Sequence, residues 1–423
     1  MENNSSSLKF AGDISIKEVQ LNSLNGQVAD VTNQIISIEI YEDLFSPFMS
    51  ISIVLRESLD YLNLFPFNGE EFIDLTLDTP SFNKPITGRF YVYKMTDRLY
   101  TKEREVVYTI KAISEEYYTD ANTKISKAFS GNITESVALL LGKEGLNTKK
   151  KTNIEKTSNK NKMVSNFWSP TKCLNELATT AVSNTQSPSF LFFENREGFN
   201  FRSIDAMLSA KTYQTFTKDN YSRTKRDDGV DSIKDPEADY SKIIEIEIPT
   251  VSNYMEDVES GRLKSRIVSH DILTKKYKVK DYSIKKDKIE QTLLNPAPAY
   301  SKYSKSNAAG SQFIMPRHYG NFTNFSDTTN YSTVQRRMSF FQNLNKFRIN
   351  IEVFGRTDYT VGQIYDITLP KVAQILKEDS ITRDAMLSGR YIVSAISHTI
   401  NKENHICKME LIKNSVLVDL NKA

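Results

Sequence analysis

The chain has 423 residues, enough for two to four units at about 150 residues per domain. Its 55 Lys and Arg residues nearly balance its 52 Asp and Glu residues, and a net charge of +3 disfavours a strongly basic nucleic-acid-binding protein. A hydrophobic content of 39% is low for one large core, so it favours several small domains or an extensive surface for partners.

The start of the sequence and its hydropathy predict a soluble protein. The polar segment 1–7 lacks the basic and apolar regions of a secretory signal. No apolar run approaches the roughly 18 residues needed to span a bilayer. The distant cysteines Cys173 and Cys407 do not suggest a disulfide framework, so we expect both to be reduced and buried in a protein that folds in a cytoplasm.

The first β-rich region extends from about residue 35 to residue 114. Ile36, Ile38 and Ile40 alternate with polar residues, as expected of a strand with one buried face. Turn residues at Asn68-Gly69 and the charged segment 97–105 are expected to separate further strands. Short strands at this spacing predict an antiparallel barrel or sandwich. The other expected strands are 51–55, Phe72–Leu77, Phe90–Met95 and Val106–Ile113.

Helical periodicity follows the first β-rich region. Asn132 is a candidate N-cap for one helix, and Ser169-Pro170 has the residue types that begin another. Trp168 is expected to pack onto the start of the second helix. A strand pair is then expected at 189–193 and 199–204, joined by a turn.

Two charged segments are expected to be surface connections. Lys143–Lys162 contains seven Lys and two Glu, a composition that favours a solvated loop over a contact with nucleic acid or a tape-like protein. Arg226–Asp239 is its acidic counterpart and is likewise expected to be a flexible surface connection.

The second half contains a second β-rich region. A strand is expected at Ile243–Ile248, ended by Pro249, and is followed by an irregular stretch from about residue 262 to residue 331. A helix near 333–345 aligns Val334, Met338 and Phe341 on one face. The remaining expected strands are Phe347–Val353, Ile364–Leu369, Gly389–Ile396 and Ile406–Ile412.

The two β-rich regions contain the same series of short motifs in the same order. Any two antiparallel β-domains share alternation and glycine turns, but here the offsets between matched motifs drift only between 292 and 301 residues. The sequence therefore predicts two copies of one barrel, the second interrupted after its first strand. The matched segments are Phe48–Ile53 with Phe347–Ile351, Gly69 with Gly362, Asp74–Leu77 with Asp366–Leu369, Thr87–Phe90 with Ser388–Tyr391, and Val107–Ile113 with Ile406–Ile412.

No residues form a recognised catalytic, cofactor-binding or metal-binding motif. The segment Ser269-His270-Asp271 has the residue types of a hydrolytic triad, but neighbours on a strand point to opposite faces. Glu245 and Glu247 share one face, as a glycosidase pair could, yet Glu alternating with Ile is more typical of the wet side of a strand. A zinc site has little support, because no His-x-x-x-His or Cys-x-x-Cys pair involves the four histidines, His270, His318, His398 and His405.

Charged residues recur in the repeat without defining a site. Asp74 and Asp366 lie near glycine turns, where capping or turn hydrogen bonds account for them. Arg89 and Arg390 each follow a glycine, and they face a lumen, a subunit interface or solvent at a strand end.

Several segments carry a resemblance to a known family. They run from Ile36 to Phe45, from Met49 to Ile53, from Gly69 to Leu77 and from Phe167 to Phe193. In these the sequence resembles the central baseplate hub protein of T-even-type contractile-tailed phages. The resemblance covers most of the first 205 residues and, more loosely, the second barrel. The lysine-rich segment 143–162 and much of 262–330 depart from it.

The resemblance implies a mainly β (α+β) fold with two duplicated antiparallel tube-type β-barrel domains plus helix-containing insertion domains. Residues 1–118 are expected to form the first barrel and 119–240 an α+β domain with two helices and a hairpin. Residues 241–262 and 332–423 are expected to form the second barrel, with 263–331 as an irregular insertion.

The resemblance also implies a structural role in the virion. Three chains with two barrels each would form a pseudo-sixfold ring that joins a hexameric tail tube to a trimeric cell-puncturing spike. The implied partners are the spike, tail tube or tube-initiator proteins, the tape-measure protein and baseplate wedge proteins. Neither membrane insertion nor specific nucleic-acid binding is expected, and DNA would only pass through the lumen. The alternative from another functional class is a tail-associated cell-wall hydrolase or glycan-binding module.

Overall fold

The computed structural model describes residues 8, 10–58, 61, 69–82, 84–102, 105–218, 239–250, 254–271, 275–284, 292–298, 311–316, 333–371, 383–402 and 404–418. Antiparallel strands predominate among them, which confirms the predicted mainly β fold. Within the described chain, no helix is long and apolar enough to cross a membrane.

The first barrel surrounds one apolar core. Its strands lie in the order β2-β1-β5-β6-β7-β4-β3, and a short 3-10 helix, Thr32–Gln34, links β2 to β3. Alternate residues such as Ile38, Ile53 and Ile110 point inward and are fully buried, because successive side chains of a strand face opposite sides. The strands are β1 Ser15–Asn22, β2 Val28–Asp30, β3 Ile35–Asp43, β4 Ser50–Glu57, β5 Phe72–Asp78, β6 Ile86–Lys102 and β7 Glu105–Ser114.

The predicted loop at residues 97–105 is wrong for all of its described residues, since 97–102 lie in β6 and Glu105 begins β7. Strand β6 continues to Lys102 and pairs with β7 up to Lys102 opposite Glu105. The pairing is interrupted between Thr96 and Leu99, where Asp97 has a φ of 59°. The extra residue is a β-bulge, which lets a strand continue past a local irregularity.

An α+β unit follows the first barrel, and both predicted helix starts are confirmed. The Asn132 side chain accepts a hydrogen bond from the Thr134 amide, and the Ser169 side chain accepts one from the Lys172 amide. Trp168 packs against the apolar core of this unit, as predicted. The elements are α1 Glu115–Asn122, β8 Ala128–Asn132, α2 Ile133–Leu141, β9 Thr152–Ile154, β10 Lys160–Val164, α3 Pro170–Thr180, β11 Phe190–Asn195, β12 Gly198–Ser203 and α4 Ile204–Leu208.

The prediction of a solvated loop at Lys143–Lys162 is wrong. Strand β9 pairs with β12, and β10 pairs with β8. Lys150 is drawn inward because its ammonium group lies 2.7 Å from Glu116 and 2.6 Å from Glu194. Ion pairing therefore orders a segment whose like charges, taken alone, oppose packing.

The rest of the described chain forms the second barrel and an insertion. The barrel strands lie in the order β14-β19-β22-β21-β20-β13, and a bridge between Thr217 and Lys242 connects the two ends. The elements are β13 Thr212–Thr217, β14 Ile243–Thr250, α5 Tyr254–Glu259, β15 Lys264–Asp271, β16 Lys276–Ser283, β17 Ala297–Pro298, β18 Ser311–Pro316, α6 Val334–Leu344, β19 Phe347–Phe354, β20 Ile364–Thr368, β21 Gly389–Asn401, β22 His405–Lys413 and β23 Ser415–Val416.

Two details of this region differ from the sequence prediction. Strand β14 runs past Pro249 to Thr250, which is possible because it pairs on one side only, with β19. The stretch expected to be irregular contains a three-stranded sheet, β16-β15-β18, in its described part. Most of the acidic segment 226–239 and residues 299–310 lie outside the described residues.

Helix α6 buries a different face from the predicted one. Val334, Met338 and Phe341 are only partly buried, whereas Gln335 and Ser339 are buried against the three-stranded sheet and its flank. The Gln335 amide donates to the Ser265 carbonyl, and the Ser339 hydroxyl donates to the Arg262 carbonyl. Phe340 and Leu344 are also buried, in the core of the second barrel. Apolar packing on one side and hydrogen bonds to the insertion on the other therefore orient this helix together.

The two barrels share the order of five strands. Strands β3-β4-β7-β6-β5 correspond to β14-β19-β22-β21-β20. Asp74 lies opposite Arg89 in one barrel, and Asp366 lies opposite Arg390 in the other, as the sequence alignment requires. The predicted duplication is thus confirmed in topology and register. The copies differ at β1 and β13, since β1 is antiparallel to β5 but β13 is parallel to β20.

Two matched glycines provide a test of backbone strain. Gly69 and Gly362 have φ values of 97° and 83°, a region that β-branched residues avoid. Gly69→Val and Gly362→Val should each reduce the free energy of unfolding by about 1 kcal/mol or more in urea titrations. The loss should be larger at Gly362, because a Cβ there would lie 3.2 Å from the Met207 sulfur, whereas a Cβ at Gly69 would meet no atom of the described residues within 4 Å. Equal losses would contradict the contribution of this contact.

Candidate assembly interface

The two barrels of the chain are joined edge to edge. Strand β3 of the first barrel pairs with the second half of β21, from Ala395 opposite Asp43 to Asn401 opposite Ser37. Ile400 of β21 belongs to the core of the first barrel and is fully buried opposite Ile38. The junction therefore combines backbone pairing with insertion of a side chain from one barrel into the core of the other.

The duplication places a second copy of each junction edge elsewhere on the chain. Strand β14 corresponds to β3, and each has a register shift at its start. In β3, paired with β4, the shift lies between Ile35 and Ser37; in β14, paired with β19, it lies between Ile243 and Glu245. The second half of β6, residues 94–101, corresponds to residues 395–401 of β21. Within the described chain, the outer edges of β14 and of this part of β6 are in no strand ladder. The only contacts of this kind near β14 among the described residues lie at its start, where Thr217 bridges to Lys242 and the Lys218 ammonium donates to the Ile243 and Ile244 carbonyls.

These two edges expose apolar side chains. Tyr100 corresponds to Ile400 once the β6 bulge is taken into account. Tyr100 lies opposite Val106 of β7, Ile400 lies opposite His405 of β22, and Val106 and His405 occupy matching positions in these two strands. Tyr100 is 73% exposed, whereas Ile400 is fully buried. Exposed apolar side chains along an unpaired strand edge are a liability that proteins cover with a partner.

The charges of the two edges are complementary. Strand β14 carries Glu245 and Glu247 and no basic residue, and both carboxylates are exposed. The end of β6 carries Lys94, Arg98 and Lys102 against one acidic residue, Asp97. Opposite charge on two surfaces favours their encounter.

A buried carboxylate lies beside the intramolecular junction. Glu42 of β3 accepts hydrogen bonds from the Thr360 hydroxyl, and its backbone donors are the amides of Val361 and Arg196, each 3.2 Å away. Burial raises the pKa of Glu42 to about 7, although these hydrogen bonds oppose the shift. One side chain of the first barrel thus connects to the second barrel and to the α+β unit.

Glu42 should make stability depend on pH near neutrality. Its pKa is raised in the folded state, so the folded state holds the proton more tightly, and stability is lost as the pH rises from about 4.5 through about 7. The free energies of unfolding of the unmodified chain and of Glu42→Gln should be compared by urea titration from pH 5 to pH 8. The unmodified chain should lose up to about 3 kcal/mol relative to the variant over this range. A pH-independent difference would contradict this role of the carboxyl group.

The catalytic candidates from the sequence do not assemble. Ser269 is buried and His270 is exposed, as expected of neighbours on a strand. Glu245 and Glu247 lie on an exposed face, and His318 lies outside the described residues.

Asp74 is not a turn or capping residue, since it forms an ion pair with Arg89 through two hydrogen bonds. The corresponding residues of the second barrel, Asp366 and Arg390, do not form such an ion pair. Asp366 pairs with Arg383, and the Arg390 guanidinium donates a hydrogen bond to the Ala210 carbonyl.

Sequence reasoning missed a cluster of three side chains inside the second barrel. His398 lies directly opposite Cys407, and His405 precedes Cys407 by two residues on the same face of β22. His398 Nδ1 is 3.0 Å from His405 Nε2, and Cys407 Sγ is 3.2 Å and 3.5 Å from these two nitrogens. The signal was a His-x-Cys pair on a strand facing a histidine across the hairpin. Cys407 and Cys173 are free and buried, as predicted.

The fold is that of phage-type tail proteins. A tail protein from Neisseria meningitidis MC58 matches with a TM-score of 0.55 and 11% identity, over 94% of this chain and 96% of that chain. The 43 kDa tail protein of prophage MuSo2 from Shewanella oneidensis matches with a TM-score of 0.54 and 9% identity, over 94% of this chain and 98% of that chain. No family model matches the sequence.

Sequence similarity indicates a particular kind of tail protein. The chain is 24% identical over 413 residues to the probable baseplate hub protein gp334 of Vibrio phage KVP40, covering 92% of this chain and 91% of the relative. This match confirms the resemblance to baseplate hub proteins seen in the sequence. The chain is therefore similar in sequence to a probable phage baseplate hub protein and in fold to tail proteins.

Proposed function

We propose that this chain is a baseplate hub that forms a homotrimeric ring of six similar barrels between a hexameric tail tube and a trimeric spike. The observation that carries the proposal is the duplicated junction edge. Each chain uses one β3-to-β21 junction internally, and it leaves the matching β14 and β6 edges without a strand partner among the described residues. Pairing β14 of one subunit with β6 of the next repeats the internal junction between subunits.

The ring follows from the heterologous character of this junction. The β14 edge cannot pair with itself in the same way, so each subunit joins the next head to tail, and such contacts generate closed rings when the rotation closes. Three internal and three intersubunit junctions make six barrels, which matches the sixfold symmetry of a tube and the threefold symmetry of a spike. The number of subunits in the proposal, three, is supported by the resemblance of the sequence to T-even-type hub proteins.

The proposed partners bind the two faces of this ring. Tail tube or tube-initiator proteins continue the barrels on one face, and the spike occupies the other. The tape-measure protein and baseplate wedge proteins are further proposed neighbours. The proposed domains follow the bounds of the sequence analysis, with residues 1–118 and the pair 241–262 and 332–423 as the two barrels, except that strand β13, Thr212–Thr217, joins the second barrel.

The proposal is tested by the mass of the native assembly. The full chain is purified alone and after co-expression with the spike of the same phage, and each sample is measured by native mass spectrometry. We expect a trimer, either alone or as a three-to-three complex with the spike as template. A chain that stays monomeric in both samples contradicts the proposal.

A further inference from the structure

The His398, His405 and Cys407 side chains converge on one point inside the second barrel. Their nearest nitrogen and sulfur atoms are 3.0, 3.2 and 3.5 Å apart. A point equidistant from the three atoms in their common plane is about 1.9 Å from each. An ion displaced from that plane by about 1 Å would have bonds close to the roughly 2.0–2.1 Å of zinc–nitrogen and 2.3 Å of zinc–sulfur bonds.

The cluster is buried with few partners outside itself. All three residues are fully buried, and the outer nitrogens, His398 Nε2 and His405 Nδ1, make no hydrogen bond of normal geometry within the described residues. The backbone of Tyr359 interacts with His398, and that of Arg356 interacts with Cys407. Buried polar groups cost free energy unless they are paired, so the contacts at the centre of the cluster contribute to offsetting the burial of two imidazoles and a thiol.

The backbone holds the cluster in place. A Cβ on Gly355 would lie 2.3 Å from the ring of His405, so only glycine lets the chain pass over this imidazole. The backbone of His405 is fixed on both sides, since its carbonyl accepts from the Gly355 amide and its amide donates to the Gly12 carbonyl. His398 is fixed by cross-strand pairing with both Cys407 and Ile40.

We propose that His398 Nδ1, His405 Nε2 and Cys407 Sγ bind one Zn²⁺ ion. Thiolate and imidazole ligands select zinc over Ca²⁺ and Mg²⁺, which prefer oxygen. Binding breaks the S–H bond of Cys407, releases its proton to solvent and forms a zinc–sulfur bond, so protein and ion together lose one proton. A water molecule supplies the fourth ligand of a tetrahedral site.

The ion would stiffen the junction between the barrels. It links β21 to β22 at the position where β21 pairs with β3. Because the corresponding residues of the first barrel include Asp97 and Tyr108, the site has no copy there. A single zinc per chain is thus expected, at the internal junction and not at the proposed intersubunit one.

The experiment measures metal content and ligand type in the full chain. The protein is produced in zinc-supplemented medium and analysed by elemental mass spectrometry, together with Cys407→Ser and the matched control Cys173→Ser. We expect one zinc per chain, at least a tenfold loss in Cys407→Ser and retention in Cys173→Ser. Apo protein loaded with Co²⁺ should show a thiolate-to-cobalt charge-transfer band that Cys407→Ser lacks.

The cobalt spectrum of the unmodified chain keeps the proposal testable even when Cys407→Ser does not fold. Zinc far below one per chain together with no cobalt–thiolate band overturns the site and leaves a hydrogen-bonded trio. Binding of copper alone overturns the assignment to zinc. Neither result bears on the ring, because oligomeric state is read separately by native mass.

Discussion

Replacing Tyr100 by Asp should abolish the trimer while leaving the barrels folded. Tyr100 occupies the position of Ile400, which is buried in the neighbouring barrel at the internal junction. A carboxylate at this position would lose its hydration on assembly, and the aromatic contact would be lost too. Loss of an interface aromatic costs about 2 kcal/mol or more per interface, and the ring has three. Native mass spectrometry should therefore show monomer for Tyr100→Asp.

Tyr277→Asp is the matched control for this variant. Tyr277 lies on β16 of the insertion and is 71% exposed, against 73% for Tyr100, but it is on neither junction edge. It should assemble like the unmodified chain, and both variants should keep the unmodified circular dichroism spectrum. A Tyr100→Asp protein that assembles normally would show that this edge of β6 is not the interface.

The register of the proposed contact has its own test. Ile400 lies opposite Ile38, and the counterparts of these residues are Tyr100 and Ile246. A chain carrying Tyr100→Cys and Ile246→Cys should therefore form covalent trimers on mild oxidation, because directly opposed Cβ atoms lie within about 5.5 Å. The same chain with Tyr277→Cys in place of Tyr100→Cys should stay monomeric on a denaturing gel.

The sequence predicted the barrels well because strands with one buried face leave a period-two pattern. The Gly69 and Gly362 turns lie in matched places, as do the segments containing Asp74 and Asp366, because turns and alternation follow from the local backbone. Helix N-caps such as Asn132 could also be predicted from the sequence, because a cap depends on residues within one turn of the helix.

What the sequence left out depends on residues far apart in the chain. The buried face of α6 combines apolar packing of Phe340 and Leu344 with hydrogen bonds from Gln335 to residues of β15 and β16, and the hydrogen bonds are not encoded by any periodicity within the helix. The cluster at Cys407 escaped because spacings typical of helical or knuckle zinc sites do not describe a hairpin. Likewise, the exposed end of β6 becomes interpretable only when β21 shows what its counterpart contacts.

Loss of the Lys150 side chain should destabilise a single subunit. The Lys150 ammonium group donates to Glu116, Glu194 and the Ser114 hydroxyl at 2.6–2.7 Å. Glu194 also accepts from the Met49 amide just before β4, so the cluster joins the α+β unit to the first barrel. Burial raises the pKa of Glu194. It acts on Glu116 in the same direction, but the Lys150 charge and hydrogen bonds outweigh it and lower that pKa.

Lys150→Met should reduce the free energy of unfolding by about 3 kcal/mol at pH 7, because it leaves two buried carboxyl groups without their cation. Lys149→Met is the matched control, since Lys149 is exposed and surface changes stay within about 0.5 kcal/mol. The deficit of Lys150→Met should shrink as the pH falls, because Glu194 then takes up a proton and no longer needs a counter-charge. Urea titrations of both variants from pH 7 to pH 5 measure this difference. If Lys150→Met is as stable as Lys149→Met throughout, the ion cluster does not hold the two units together.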